Sequence, residues 1–309
     1  MIYRLAILLE RFILEHTRLE NRYPPLFVVG VPRSGTTALL LHLFNRFQFS
    51  CFPNISRRYH QAPISAACWG RMVHRYNPTY GSDYGEVAGP MAPSDGWEIF
   101  FRWFPRYDLS QPVDKERLVQ LKSMVRLLEK IYGAPFINKN NSNPVRISEL
   151  AELFPDALFV HVERDLFETV ASNVEAREKH GIPLNKWWSV APPRYFDHRF
   201  ETQLEQVVTM VWDVNRYIGE CLEKVPPQKR IRISYADFCR QPDQLLDWVS
   251  VAYTRLGFNL KDRKGSEGLQ REILYRQRDI PPDLKKEMER ILDKLKKSEQ
   301  SDAFVVRKR

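Results

Sequence analysis

The sequence predicts an α/β protein of three layers, a central parallel sheet flanked by helices. Three observations predict it. Short apolar runs rich in β-branched residues recur at 27–29 (FVV), 157–162 (ALFVHV) and 231–235 (IRISY). They have the length and composition of strands buried on both faces. Between them lie longer stretches with apolar residues at helical spacing. Strands that alternate with helices need right-handed crossovers, not hairpins, and so give a parallel sheet.

The elements follow in order. Residues 1–24 read as an amphipathic N-terminal helix packed on the body, with attachment to a membrane surface as the other reading. Its uncharged run, Leu5 to Leu9, is too short to span a bilayer and lacks a signal-cleavage site. Strand 27–29 leads through a polar loop into a leucine-rich helix from Ala38. Residues 50–108, rich in Pro, Gly, Tyr and Trp, read as an irregular insertion, a lid or acceptor-binding segment. Residues 110–133 form a helix with Leu118, Leu121, Val125 and Leu128 on one face and Gly133 as its C-cap. The strand 157–162 runs on to Glu163-Arg164. Asp165 with Glu168 is a capping box that starts a helix reaching about Lys179. Strand 231–235 follows, and a solvated amphipathic helix occupies 281–300. No linker or repeat is present, so 1–309 reads as one domain.

Composition bounds the function. The 309 residues can bury a large core, and 43% apolar with 28% charged residues is ordinary for a globular chain. Net charge is 47 − 38 = +9, which suits an anionic ligand or a membrane surface. Nucleic acid is not expected as a partner, because the basic residues are scattered and no recognition motif is present. The 4 cysteines lie far apart with no C-x-x-C pair, so neither a zinc site nor a disulfide scaffold is expected and a reducing compartment fits.

The loop after strand 27–29 carries the chemistry. Gly30 and Gly35 are separated by four residues, and Thr36-Thr37 follow. The spacing is nearly that of the phosphate-binding loop G-x-x-x-x-G-K-[ST], in which backbone N–H groups and a helix N-terminus wrap a phosphate. It places the fold in the P-loop nucleotide-hydrolase-like class. Thr36 stands where that motif has lysine, and Arg33 supplies a cation from inside the loop. A bare capped turn would need one hydroxyl, not Ser34-Gly35-Thr36-Thr37 and an arginine. A second anion site follows. Arg164 ends a strand, where ligands of open α/β sheets bind. Ser172 lies two turns into the next helix, so the two could share a phosphate from two sides.

Taken in order, Pro32-Arg33-Ser34-Gly35-Thr36-Thr37, Arg164, Ser172 and Tyr235 resemble the sulfotransferases of P-loop-like fold that use 3′-phosphoadenosine 5′-phosphosulfate (PAPS), in particular the bacterial type. The block NKNNSNPVRISELAELFPDALFVHVERD, 138–165, is similar to the lysine-bearing strand, helix and strand of that type. The resemblance runs over 27–257. It implies that residues 32–37 hold the 5′-phosphosulfate, that Arg164 and Ser172 hold the 3′-phosphate, and that Tyr235 contacts the cofactor, with Ala236 where the family has Glu. It implies a sulfuryl transfer to a hydroxyl, with adenosine 3′,5′-bisphosphate as product. No metal is expected, since a sulfuryl group carries less charge than the γ-phosphoryl group that Mg²⁺ and lysine neutralise.

The same resemblance assigns catalytic roles. Arg33 takes the place of the loop lysine and steadies the bridging oxygen. Lys139 matches the lysine ending a strand upstream of Arg164, which in the cytosolic branch is followed by Thr and a base, His. Here Asn140 and Asn141 follow, so the base lies elsewhere. Asp95, at the position of a bacterial Glu, is the first candidate, with His60 and His74 behind it. Against Asp95 stands a structural role, a capping box with Glu98 for a helix carrying Trp97, Phe100, Phe101, Trp103 and Phe104. Arg263-Lys264-Gly265 copies a 3′-phosphate-binding string of the cytosolic branch, but falls too soon after residues 256–257 and reads as coincidence. The family's adenine-stacking tryptophan is replaced by Ala38-Leu39, and Trp187 and Trp188 read as acceptor-side or core residues.

The expected function is therefore PAPS-dependent sulfation of a small-molecule or lipid-like hydroxyl acceptor, in the cytoplasm, with a peripheral membrane contact as a further expectation. The competing readings are a kinase or other nucleotide hydrolase with a deviant loop, for which Asp165 is the candidate metal-binding acid, and a non-catalytic nucleotide-binding protein.

Overall fold

The structure, a computed structural model, describes residues 2–306 apart from 17, 18, 21, 84, 105–112, 185, 192–198, 266–274 and 276, with side chains described as far as 298. Its elements in chain order are α1 (Ile2–His16), β1 (Leu26–Val29), α2 (Thr36–Arg46), α3 (Asn54–Arg58), α4 (Pro63–Val73), α5 (Trp97–Phe100) and α6 (Lys115–Tyr132). Then come β2 (Ile137–Asn138), α7 (Ile147–Leu153), β3 (Leu158–Glu163), α8 (Leu166–Lys179), α9 (Gln203–Glu223), β4 (Arg230–Ser234), α10 (Tyr235–Arg240), α11 (Asp243–Arg255) and α12 (Pro282–Val306).

Among the described residues the sheet has four strands in the order β2-β1-β3-β4, all paired in parallel. β1 is buried at every position, which its LFVV sequence allows because both faces of the sheet are covered. Alternate residues feed different cores. Phe27, Val29 and Phe159 pack with α6, α7 and α9 on one face. Leu26, Val28, Leu158 and Val160 pack with α2, α10 and α11 on the other. This two-residue alternation produces the three layers. From β1 the chain passes to β2 on one side, and from β3 to β4 on the other. The crevice between β1 and β3 is thus a topological switch point, the place where open sheets of this class bind ligands.

Local chemistry explains several boundaries. Asp114 caps α6 by accepting from the N–H groups of Glu116 (3.0 Å) and Arg117 (3.2 Å), and Gly133 closes it at φ 63°. The expected starting residues of this helix, 110–112, and the last residues of the 50–108 insertion lie outside the described residues. Asp165 caps α8 as expected, accepting from Glu168 N at 2.9 Å. The reciprocal half of the expected box is replaced, because the Glu168 carboxylate pairs with Arg164 at 2.8 Å.

Three expectations are corrected. The N-terminal helix is described over Ile2–His16 and does not reach residue 24, since 19, 20 and 22–24 are not helical. Beyond it the backbone is held by α6 side chains, with Leu19 N donating to Ser123 Oγ (3.2 Å) and Arg22 N to Glu129 (2.9 Å). Nor does its leucine face pack on the body: Glu10 and Leu14 are its buried residues, and Leu5, Leu8, Leu9 and Phe12 are exposed. The 50–108 stretch is not irregular throughout, since it contains α3, α4 and α5. Pro63 sits at the first position of α4, where its missing N–H costs nothing.

Candidate active site

A cavity of about 490 Å³ opens at the carboxyl ends of the strands. Segments following each strand reach it: Pro32 to Ala38 after β1, Lys139 to Ser142 after β2, Arg164 after β3 and Tyr235 after β4. The insertion forms a further wall through Asn54, Arg57, Gly85, Glu86, Asp95, Trp97 and Phe101.

The loop is shaped as a phosphate cradle. A Cβ at Gly30 would sit 2.7 Å from both Ser34 Oγ and the Val162 carbonyl oxygen, so the loop can press against β3 only with glycine there. Gly35, at φ +102°, has the Tyr235 ring where a Cβ would be. Gly35 also occupies the N-cap of α2 without a side-chain cap, so the first N–H groups of α2 are not closed off by a capping hydroxyl. Arg33 is held at φ 72°, a left-handed conformation that non-glycine residues rarely adopt outside functional turns.

The predicted cation and hydroxyl residues converge on this cradle. Arg33 Nε donates to Ser172 Oγ at 3.2 Å, joining the loop to α8 across 139 residues of sequence. Asn173 reinforces the link by donating to the Pro32 carbonyl at 2.9 Å. Ser34 and Ser172 are buried, at 2% and 4% exposure, and neither lines the cavity; the Ser172 hydroxyl, expected to share a phosphate with Arg164, is bonded to Arg33 instead. Arg164 lines the cavity, and its guanidinium is set by Glu168 and lies 5.4 Å from the centroid of the Tyr235 ring. Glu168 is itself buried and accepts a further bond from Tyr275 Oη at 2.8 Å. Tyr235 is the first residue of α10, one step beyond the strand that was expected to contain it.

Asp95 and Lys139 form an ion pair on the cavity wall. Lys139 Nζ lies 3.0 and 3.2 Å from the two carboxylate oxygens, with the lysine side chain 7% exposed and the aspartate 22%. The capping role expected for Asp95 is not found: Gly96, at φ 65°, is the N-cap of α5, with no side-chain bond to it. Asp95 is held by the segment after β2 instead. Asn138 and Asn140 donate to its carbonyl at 3.3 and 2.9 Å. Asn140 thus positions the candidate base, at the place where the sequence showed only a missing Thr-His.

The helix expected to carry the aromatic cluster divides it. Phe100, Trp103 and Phe104 enter the core, while Trp97 and Phe101 line the cavity. Trp188 also lines it, and Trp187 is buried with its indole N–H on the Val190 carbonyl at 2.8 Å. Sequence reasoning missed Arg57, which binds Glu98 and Glu86 at 2.7 Å each and lies 5.5 Å from the centre of the Trp97 ring. Burial opposes its charge, and the hydrogen bonds to Glu98 and Glu86 outweigh that, raising its pKa. No local pattern marks this trio, because its members are 29 and 41 residues apart. The runners-up do not meet the cavity: His74 ends α4 with its ring 6.0 Å from Trp69, and the His60 carbonyl accepts from Arg102. Arg263 is spent on the far end of α2, where it bonds the Phe44 carbonyl and stacks 3.9 Å from the Phe44 ring centre. The remainder of that string, 266–268, lies outside the described residues. The Asp165 carboxylate is used in capping α8.

The fold is that of a P-loop-like α/β protein, with a cavity at the switch point of a parallel sheet. The sequence profile of the Sulfotransferase family matches residues 24–255, and the chain belongs to that family. Stf3 of Mycobacterium tuberculosis (strain CDC 1551 / Oshkosh), an omega-hydroxy-beta-dihydromenaquinone-9 sulfotransferase, is 25% identical over 165 residues, covering 52% of this chain and 38% of Stf3. The Mycobacterium bovis Stf3 matches with the same figures. The chain therefore matches well under half the length of these relatives. Among solved structures, sulfotransferase STF1 from M. tuberculosis H37Rv superposes with a TM-score of 0.55 at 16% identity, covering 86% of this chain and 78% of STF1. STF9 from Mycobacterium avium gives 0.54 at 14% identity, covering 81% and 67%. At such identities these two likenesses speak for the fold. Among the described residues no helix is long and apolar enough to cross a membrane.

Proposed function

We propose that the protein moves a sulfuryl group from PAPS to a hydroxyl of a lipid-like alcohol. The observation that carries this reading is that the phosphate loop, the Asp95–Lys139 pair and Arg164 share one cavity at the strand ends. The cradle fits such a donor: the glycine positions leave no room for side chains, and the uncapped start of α2 suits an anion. The donor supplies an activated sulfuryl group on a phosphate leaving group.

The chain's residues divide the rest. Residues 32–37 bind the 5′ end. Arg33, fixed by Ser172, neutralises charge on the phosphate side. Arg164, aligned by Glu168 and Tyr235, receives the 3′-phosphate, where a charge-assisted bond is worth roughly 1.5–3 kcal/mol. Asp95 takes the acceptor proton as the acceptor oxygen bonds to sulfur and the sulfur–phosphate oxygen bond breaks. Lys139 pairs with that carboxylate, and the two asparagines hold the Asp95 backbone through its carbonyl. Trp97, Phe101 and Trp188 offer an apolar wall to the acceptor. Stf3 is named for a hydroxylated menaquinone derivative, and the aromatic wall here supports the same acceptor class.

The test is a transfer assay with radiolabelled PAPS in EDTA against long-chain and isoprenoid alcohols, simple phenols and sugars. Label in the lipid alcohols supports the reading. Label in sugars alone refutes the acceptor class, and phosphoryl transfer from Mg-ATP refutes the chemistry.

A further inference from the structure

The exposed apolar residues of this chain are concentrated in one place. Of the ten large hydrophobic side chains exposed among the described residues, nine lie on α1 and α4; Val251 is the exception. On α1, Leu5, Leu8, Leu9 and Phe12 have the spacing i, i+3, i+4, i+7, so they form one stripe along the helix. They are 67%, 65%, 57% and 59% exposed. On α4, Trp69, Met72 and Val73 are exposed at 49%, 74% and 52%.

The two helices are locked into one surface. The buried Glu10 carboxylate accepts from the N–H groups of Ile64 (3.1 Å) and Ser65 (2.9 Å) and from Ser65 Oγ (3.0 Å), at the first turn of α4. α1 thus docks through the side that carries Glu10 and Leu14, and its leucine stripe turns outward.

The charge on this surface is mainly positive. Arg4 and Arg11, seven residues apart, border the α1 stripe on one side, and Arg71 followed by His74-Arg75 lies at the end of α4. The acids of α1 are Glu10, which is buried, and Glu15; α4 has none. The patch also adjoins the acceptor wall. α3, which carries Arg57 of the cavity, packs on α4, and the segment after α4 brings Ser82, Gly85 and Glu86 to the same cavity.

We propose that the α1–α4 face is a docking surface for an anionic lipid bilayer. The apolar stripe enters the headgroup–acyl boundary, Trp69 sits at the interface, and the arginines meet lipid phosphates. A 15-residue helix with this pattern lies in the plane of the interface and does not cross it. The docking is independent of the transfer chemistry, so its test needs neither donor nor acceptor.

The experiment is co-sedimentation of the full chain with phosphatidylcholine vesicles, with and without phosphatidylglycerol. The wild type binds the anionic vesicles. Leu8→Ser with Phe12→Ser weakens binding about tenfold or more with an unchanged Tm, because both side chains are already exposed. Arg4→Glu with Arg11→Glu removes the preference for anionic over neutral vesicles. A second measurement needs no altered α1: brominated lipid quenches tryptophan emission, and Trp69→Phe reduces that quenching. Three results would overturn the proposal: vesicle binding that the α1 substitutions leave unchanged, no binding by the wild type, or a dimer that the same substitutions dissociate in the absence of lipid.

Discussion

Replacing Asp95 by asparagine separates catalysis from architecture at one position. The substitution keeps shape and leaves one oxygen able to accept from Lys139, but removes the charge and the proton acceptor. Two costs follow from the geometry. Lys139, with a side chain only 7% exposed, loses its ionic partner. Breaking a fully buried pair costs about 3–5 kcal/mol. Asp95 is 22% exposed and asparagine retains a hydrogen bond, so a loss of about 1–3 kcal/mol is expected. In a chain of this size that lowers Tm by a few degrees. Turnover should fall much further, by about 10²–10⁴ in kcat, the span for loss of a general base. Initial rates with radiolabelled PAPS and the best lipid alcohol, read with Tm on one preparation, give both numbers. Lys139→Met serves as the companion. It breaks the same pair but leaves the carboxylate, so it should destabilise to a similar degree and reduce kcat less. A kcat within a few-fold of wild type for Asp95→Asn, with the expected drop in Tm, would refute the assignment and leave Asp95 a structural partner of Lys139.

Gly35→Ala places a Cβ into the Tyr235 ring at a φ of +102°; nucleotide affinity should drop at least about tenfold, and calorimetry showing unchanged affinity would contradict the cradle. Turnover should persist in EDTA, and a strict Mg²⁺ requirement for the chemical step would favour phosphoryl transfer. The buried His161 imidazole is pushed down to about 3 from 6.5 by burial and then by the Arg232 charge. Its folded form stays neutral, whereas the unfolded chain takes up the proton below about pH 6.5, so stability falls as pH falls through the window from 6.5 to 3. This residue alone contributes up to about 1.4 kcal/mol per pH unit. His161→Gln should flatten urea-unfolding stability between about pH 7 and pH 5, and an unaltered slope would contradict the assignment.

Most of the residues proposed here to bind the nucleotide were singled out in the sequence. The loop glycines, Arg33, Arg164 and Ser172 sit at fixed offsets from strand ends and helix starts, and such local patterns survive without knowledge of the fold. The wall proposed for the acceptor was less legible, since its contacts join distant segments. Asp95 meets Lys139 across 44 residues of chain, and Asn140 and Arg57 gain their roles only through such contacts. α9 escaped notice for a different reason. It is a 21-residue helix rich in β-branched residues, which have lower helix propensity, and burial against the sheet holds it. In α1 the amphipathic pattern was clear, but a pattern alone does not say which face meets the protein. The buried carboxylate of Glu10 decides it, by capping α4.

The proposed chemistry requires this cavity to recognise a nucleotide through a 3′-phosphate held by Arg164. Titration calorimetry with adenosine 3′,5′-bisphosphate, AMP, ADP and Mg-ATP tests it most directly. The bisphosphate should bind at least about tenfold tighter than AMP or ADP, since one charge-assisted bond is worth roughly 1.5–3 kcal/mol. Arg164→Ala should erase that difference while leaving AMP affinity nearly unchanged. Equal affinities for the bisphosphate and AMP in the wild type, or tighter binding of Mg-ATP than of the bisphosphate, would contradict the account.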